Sequence, residues 1–368
     1  MNTIIGDHCY AGIKENLSLF QNDENLFDKL DKFLEKHKDE TKLLFISYDL
    51  KNKIESLSSN NSDKINFPTI RCIVPEKIRK VQDFKNPIKT KNKPIKFIPE
   101  LNKGEYISIV KKIKNHIQQG DFYEANFCYE WHARSASFNA EHVYQKLSNI
   151  TNAPYRLLAE LDHHQIVCAS PELFIKKRGN KLYSSPIKGT QKRAINNHDD
   201  EVLKTELSNS TKEKAENVMI VDLVRNDLSK VAQPSSVVVD ELCKVYTFKN
   251  IHQMISTISC EIDPTKSFSE IIKALFPMGS MTGAPKIRVM ELMEKYENSK
   301  RGLYSGTIGI IHPNGDFDFN VIIRTIIYNK RNHLLSFHVG GAITANSIPE
   351  KEYEETLIKA DALLKACQ

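Results

Sequence analysis

No apolar run in this 368-residue sequence approaches the roughly 18 residues that a bilayer-crossing helix needs. Nor do the first ten residues resemble a secretory signal, because Asp7 and His8 interrupt a short apolar stretch. C-x-x-C pairs are missing as well. The seven cysteines (Cys9, Cys72, Cys128, Cys168, Cys243, Cys260 and Cys367) are scattered, an odd number without a framework. That pattern argues for reduced thiols and against a structural zinc site. These absences make the cytoplasm the expected location and a membrane partner unexpected. Zinc-finger spacing and interleaved aromatic and basic residues are lacking too. The net charge of +6 therefore reads as a lysine-rich solvated surface, not as a nucleic-acid footprint.

What is present is the balance of a folded chain, 40% apolar and 27% charged, which excludes wholesale disorder. Residues 26–34 carry apolar side chains at helical spacing, and Lys42 to Tyr48 reads as a buried strand. Ser56 to Asp63 is polar and loop-like, and Glu76 to Lys96, rich in Lys, Pro and Asn, reads as an exposed connection. From Asn102 the pattern is regular. Ile107, Val110, Ile113 and Ile117 share a helical face that Gly120 ends. Strands are expected at 123–131, 156–160, 165–169, 173–177, 181–184, 236–246, 302–311, 317–328 and 334–339. A long helical pattern with a break covers 202–231, and a closing helix covers 349–366. Strands outnumber the helices that parallel crossovers would require, so the expected class is α+β, with largely antiparallel sheets and helices outside.

Four local features bear on chemistry. Ser185-Pro186-Ile187-Lys188-Gly189-Thr190 sets a lysine at a proline-bounded strand end, beside a backbone that can approach a ligand; an exposed turn is the plain alternative. Gly279 to Lys286 precedes a helical run in which Thr282 is a candidate N-cap, Pro285 falls just inside, and free N–H groups would attract an anion. Glu213 with Glu216, and Glu352 with Glu355, are carboxylate pairs spaced three apart on helical faces. Two facing helices would offer hard oxygen ligands to Mg2+, although each pair alone is commonly a solvated face. Val221 to Leu228 interrupts an apolar helix with Asp222, Arg225, Asn226 and Asp227, which reads as structural hydrogen bonding.

Together these segments resemble the chorismate-utilising family, which includes anthranilate, aminodeoxychorismate, isochorismate and salicylate synthases. The matching text is SPELF (170–174), PIKGT (186–190), AENVMIVDLVRNDL (215–228), FPMGSMTGAPKIRVMELME (276–294), RGLYSGTIG (301–309), IIRTI (322–326) and EYEET (352–356), in the family's order. The resemblance implies two packed, largely antiparallel sheets flanked by helices, with a central cleft. Residues 101–368 would form the chorismate-binding catalytic part, and residues 1–100 a shortened N-terminal segment of the same fold. A tryptophan pocket built from that segment is not expected.

Anthranilate synthases resemble one another in having alanine where this chain has Lys188; lysine there is similar to the branch that aminates chorismate. The resemblance then implies Lys188 as a covalent nucleophile, Glu172 as general acid and His252 as a further site residue. It implies Mg2+ held by Glu216 and Glu355 with help from Glu213 and Glu352. Tyr304, Arg324, Ser280, Gly189, Thr190, Gly340, Gly341 and Lys359 would bind the substrate. Nucleophilic attack requires a neutral amine, so a depressed Lys188 pKa is expected. A glutamine-hydrolysing motif is not found, which implies ammonia from a separate glutamine amidotransferase subunit. Glu124 departs from the glutamine common in aminating relatives, Ala342 from a glycine, and Asn346 from an aspartate.

Overall fold

The computed structural model describes residues 1–81, 94–248 and 251–368. Two ten-stranded sheets dominate, and every ladder between their strands is antiparallel. The first runs from Gly283–Ala284 through Glu124–Arg134, Leu334–Thr344, Thr325–Asn329, His164–Ser170 and Tyr155–Leu161 to Asn2–Ile5, His8–Ala11 and Lys77–Lys80, with Ile98–Pro99 pairing beside Glu124–Arg134 as the tenth. The second runs from Ile187–Lys192 through Ile251–Glu261, Lys181–Ser185, Leu173–Arg178, Phe317–Val321 and Thr307–Ile311 to Lys42–Ile46, Ile70–Val74 and Glu15–Leu19, with Val238–Thr247 pairing to Ile251–Glu261 as the tenth. The class is therefore α+β, as the strand-to-helix balance implies.

Alternation along the strands divides the core into three layers. Leu43 and Phe45 face Leu157, Ala159 and Ile166 between the sheets. Leu44 and Ile46, one residue out of phase, face the outer helices with Leu30, Ile220, Val224 and Ile272. On the opposite outer face, Phe127, Tyr129 and Phe337 pack against Tyr106, Val110, Val143 and Leu363. Removing about 25 cal/mol per Å² of apolar surface from water drives all three layers together.

Most expected elements occur where periodicity puts them, including the helices Leu26–Lys36, Lys103–Gln118 and Pro349–Ala366. The break in the long helical pattern falls at Ser210, which ends Asn197–Asn209 and caps Thr211–Ser229 by accepting from the Glu213 amide. Four expectations need correction. Residues 302–306 form a turn, and the strand begins only at Thr307. Residues 317–328 are two strands in different sheets, because Ile322 to Arg324 carry the chain across. Lys77–Lys80 is a strand inside the expected connection, whose residues 82–93 lie outside the described residues. Thr282 is not the N-cap: its hydroxyl donates to the Met278 and Gly279 carbonyls, and the helix begins at Lys286 with Pro285 as its cap.

Candidate active site

Two links carry the chain from one sheet to the other. Glu172 lies in the short link that takes the chain from His164–Ser170 in the first sheet to Leu173–Arg178 in the second. Arg324 lies in the link that returns it from Phe317–Val321 to Thr325–Asn329. The Val321 amide donates to the Glu172 carbonyl and the Ala169 amide to the Arg324 carbonyl, at 3.0 and 3.2 Å, so the two corners are tied together. Arg324 holds φ +51, a left-handed conformation that costs energy for a non-glycine residue and marks a constrained position.

Lys188 reaches this seam from Ile187–Lys192, the edge strand of the second sheet. Its register against Ile251–Glu261 shifts between Ile187 and Thr190, and Gly189 holds φ +88 within that bulge. A Cβ on Gly189 would stand 3.0 Å from Glu213 Oε2, so glycine both permits the conformation and admits the carboxylate. Lys188 Nζ donates to Glu124 Oε1 at 2.6 Å, across from the edge of the first sheet, with side-chain exposures of 10% and 1%. The other Glu124 oxygen is buried without a hydrogen-bond partner.

The expected depression of the Lys188 pKa does not hold in this state. Burial pulls it down, but the charge and hydrogen bond of Glu124, with Glu216 and Glu172 nearby, more than reverse that, and the group sits above its ordinary value. Reading the sign required knowing that three carboxylates surround the amine. Glu172 is pushed up to about 7 by burial, against the lowering effect of Ser280, Lys188 and the Ile187 amide. A carboxyl group with that value can donate a proton near neutrality.

Arg324 supplies a cation with no counterpart among the described residues. Among the described residues nothing accepts a hydrogen bond from its guanidinium, and burial alone holds its pKa below the ordinary value. Tyr304, buried, stacks on His338 with centroids 5.1 Å apart, and burial drives its pKa upward. Ser280 is buried in a short turn whose carbonyl accepts from Asn126 Nδ2 at 3.2 Å. Arg301 braces the same turn, donating to the Met281 and Asn126 carbonyls while paired with Glu297, both side chains under a tenth exposed.

The four carboxylates gather around one ammonium. Lys212 Nζ lies 3.9 Å from Glu216 Oε1 on its own helix and 3.9 Å from Glu352 Oε1 on the closing helix. Burial lowers its pKa, but Glu216, Glu352, Glu213 and Glu355 together hold it above the ordinary value. Glu216 is pushed up to about 7, chiefly by burial. Burial likewise raises Glu352; in Glu355 the upward push of burial is outweighed by Lys359, 2.8 Å away. Lys359 also donates to the Gly340 carbonyl at 2.8 Å, and a Cβ on Gly341 would meet Lys359, Glu352 and Glu355 within 3.8 Å. Among the described residues no three carboxylate, histidine or cysteine groups already converge at metal-ligand spacing. The donor set nevertheless fits a hard divalent cation: it is all oxygen, and Lys212 stands in as the positive charge between the helices.

His252 is not brought to this cluster. Its Nε2 pairs with Asp200 Oδ1 and its Nδ1 with Thr247 Oγ1, both at 3.0 Å, and the Arg193 fork holds Asp200 down at about 2. Neighbouring strand residues point to opposite faces, and Gln253 is the one that reaches Thr190, Nε2 to Oγ1 at 3.4 Å. Sequence reasoning missed Gln253 because it did not assign the Ile251–Glu261 strand. It also missed Lys212, although that residue stands four before Glu216. Ala342 continues the Leu334–Thr344 strand opposite Asn126, so the extra methyl demands no unusual backbone angle. Asn346 is exposed beyond the strand end. In the Val221–Leu228 segment, Asp227 is buried against Lys230 and Lys286, while Asp222 and Arg225 pair at the surface, as structural hydrogen bonding implies.

Known proteins share this arrangement of sequence and fold. The sequence profile of the chorismate binding enzyme family matches residues 76–365. The chain is 39% identical over 303 residues to the chloroplastic aminodeoxychorismate synthase of Arabidopsis thaliana, covering 78% of this chain and 32% of that protein. It is 33% identical over 291 residues to anthranilate synthase component 1 of Aquifex aeolicus, covering 79% of this chain and 56% of that one. The chain thus spans about a third to just over half the length of these relatives. Anthranilate synthase component I from Streptococcus pneumoniae TIGR4 superposes with a TM-score of 0.85 at 23% identity, over 99% of this chain and 92% of that one, a likeness of fold. No helix among the described residues is long and apolar enough to cross a membrane. With motifs, fold and profile in agreement over most of its length, the chain belongs to the chorismate binding enzyme family.

Proposed function

We propose that the chain aminates chorismate at ring C4, giving 4-amino-4-deoxychorismate for p-aminobenzoate and folate synthesis, in the cytoplasm. Ammonia would come from a separate glutamine amidotransferase subunit. The observation that supports this reading most is Lys188, a largely buried amine within the seam, paired with Glu124 and within electrostatic reach of Glu172 and Glu216.

Arg324 and Tyr304 would hold the enolpyruvyl carboxylate, the guanidinium by two parallel hydrogen bonds. Ser280 and the Gly189–Thr190 backbone would lie along the ring carboxylate. Lys188, once neutral, attacks ring C2. The two ring double bonds shift, the C4–O bond breaks, and the hydroxyl leaves as water with the proton of Glu172. Ammonia then attacks C4, the double bonds return, and Lys188 departs as the free amine. The Glu172 carboxylate takes the proton shed by the new ammonium, so chorismate and ammonia give product and water. Glu216 and Glu355, with Glu213 and Glu352, would hold Mg2+, and a cation there would supply charge neutralisation for the ring carboxylate. Lys212 must leave the space between the two helices for this to occur, and its side chain, 49% exposed, has solvent to enter.

The test is product identification by mass spectrometry after incubation with chorismate, Mg2+ and ammonium chloride. Aminodeoxychorismate is expected. Anthranilate, the product of the competing branch, or isochorismate would overturn the assignment while leaving the family intact.

A further inference from the structure

We propose that Glu124 is the base that frees Lys188 for attack. This rests on the reading of Lys188 as nucleophile and adds, for this chain, a proton acceptor that aminating relatives with glutamine at this position do without. Three observations support it. The Glu124 carboxylate contacts the reacting nitrogen directly, Oε1 to Nζ at 2.6 Å, and is the one oxygen group among the described residues hydrogen-bonded to it. Its side chain is 1% exposed, so bulk water does not compete for the proton. Its second oxygen, Oε2, is buried without a donor. Among the described residues the Lys188 ammonium is therefore the one hydrogen-bond donor to the carboxylate side chain.

The direction of transfer follows from solvation. Lys188 and Glu124 rest as an ion pair, facing Glu216 from the Thr211–Ser229 helix and Glu172 from the inter-sheet link. Substrate filling the cleft expels water, and a drier site penalises two charges more than two neutral groups. Moving one proton from Nζ to Oε1 turns ammonium and carboxylate into amine and carboxylic acid. No net charge is created, and the nitrogen lone pair becomes free for C2. When Lys188 is expelled as an amine after amination, the proton returns from Glu124 and the ion pair is restored.

A purely electrostatic role for Glu124 makes the opposite forecast. If it only held Lys188 in the charged form, removing its charge would increase the neutral fraction and speed the reaction near pH 7. The experiment compares the parent with Glu124→Gln, Glu124→Asp and Lys188→Ala, using chorismate, Mg2+ and ammonium chloride from about pH 6 to about pH 10. The expected result is a kcat for Glu124→Gln lower by about 10²- to 10⁴-fold near neutrality. The deficit should narrow by roughly tenfold per pH unit as solvent takes over the deprotonation. Glu124→Asp should keep more activity than Glu124→Gln. A folded Glu124→Gln with kcat equal to or above the parent's near pH 7 overturns the proposal. Should Glu124→Gln fail to fold, Glu124→Asp decides: its receded carboxylate should lower kcat at least about tenfold, with the same narrowing, and an unchanged kcat refutes the base. Failure of the underlying reading looks different. A parent that makes no aminodeoxychorismate, or a Lys188→Ala variant at parental rate, removes the nucleophile and with it the step Glu124 serves.

Discussion

Arg324→Met separates a binding cation from a structural one. Arg324 is half-buried at the corner between the sheets, and no described residue accepts hydrogen bonds from its guanidinium. In most proteins, deleting one partner of a buried ion pair strands the other and costs about 3–5 kcal/mol. No such partner exists among the described residues, so the folded protein should lose only packing and shed a desolvation penalty. The melting temperature should therefore stay level or rise. Ligand binding should suffer instead. Charge-assisted hydrogen bonds contribute about 1.5–3 kcal/mol each, and two to a carboxylate, discounted for the solvent that reaches the cleft, make about 3 kcal/mol in total. That corresponds to a loss of roughly 100-fold in kcat/KM for chorismate. Arg324→Lys keeps the charge but not the fork, and should lose about tenfold. The assay pairs steady-state kinetics with thermal unfolding. A variant that binds chorismate normally yet melts several degrees lower would show that Arg324 serves the fold, and would refute the reasoning.

Other expectations follow from the same geometry. Glu172, held at about 7 by burial, binds a proton in the folded state that the unfolded chain has already released. Its contribution to stability is fully present below about pH 4.5 and is lost as pH rises through about 7, so the parent should lose up to about 3 kcal/mol relative to Glu172→Gln across that window. Mg2+ binding, followed by calorimetry, should release protons and weaken as pH falls below about 7, where Glu216 becomes protonated. Lys212→Met, which removes the ammonium between Glu216 and Glu352, should bind Mg2+ several-fold more tightly in the same measurement; unchanged affinity would show that Lys212 does not compete. Gly189→Ala should cost about 1–3 kcal/mol in denaturant unfolding, because φ +88 and the Glu213 contact both penalise a methyl.

Local periodicity revealed most elements, since a helix such as Pro349–Ala366 or a strand such as Lys42–Ile46 is specified by its own spacing of apolar residues. The same spacing put Glu352 and Glu355 on one turn, and the structure sets Glu352 and Glu216 each 3.9 Å from the Lys212 ammonium. What could not be read locally depends on partners distant in sequence. The sign of the Lys188 shift hinges on Glu124, 64 residues away and in the other sheet. The choice between His252 and Gln253 turns on which strand face points at Thr190, which is fixed by pairing between Ile187–Lys192 and Ile251–Glu261. The split of residues 317–328 into two strands reflects a change of sheet at Ile322 to Arg324, invisible in a continuous run of β-forming residues.

The central claim, that Lys188 forms a bond to the ring, is tested most directly by incubating the protein with chorismate and Mg2+ while withholding ammonia. The quenched protein is then digested and its peptides weighed. The first half-reaction should stall as an adduct of chorismate less water on the peptide containing Lys188, absent in Lys188→Ala and discharged by added ammonium. A parent that aminates chorismate yet never shows that adduct, together with a Lys188→Ala variant that turns over at the parental rate, would contradict the account.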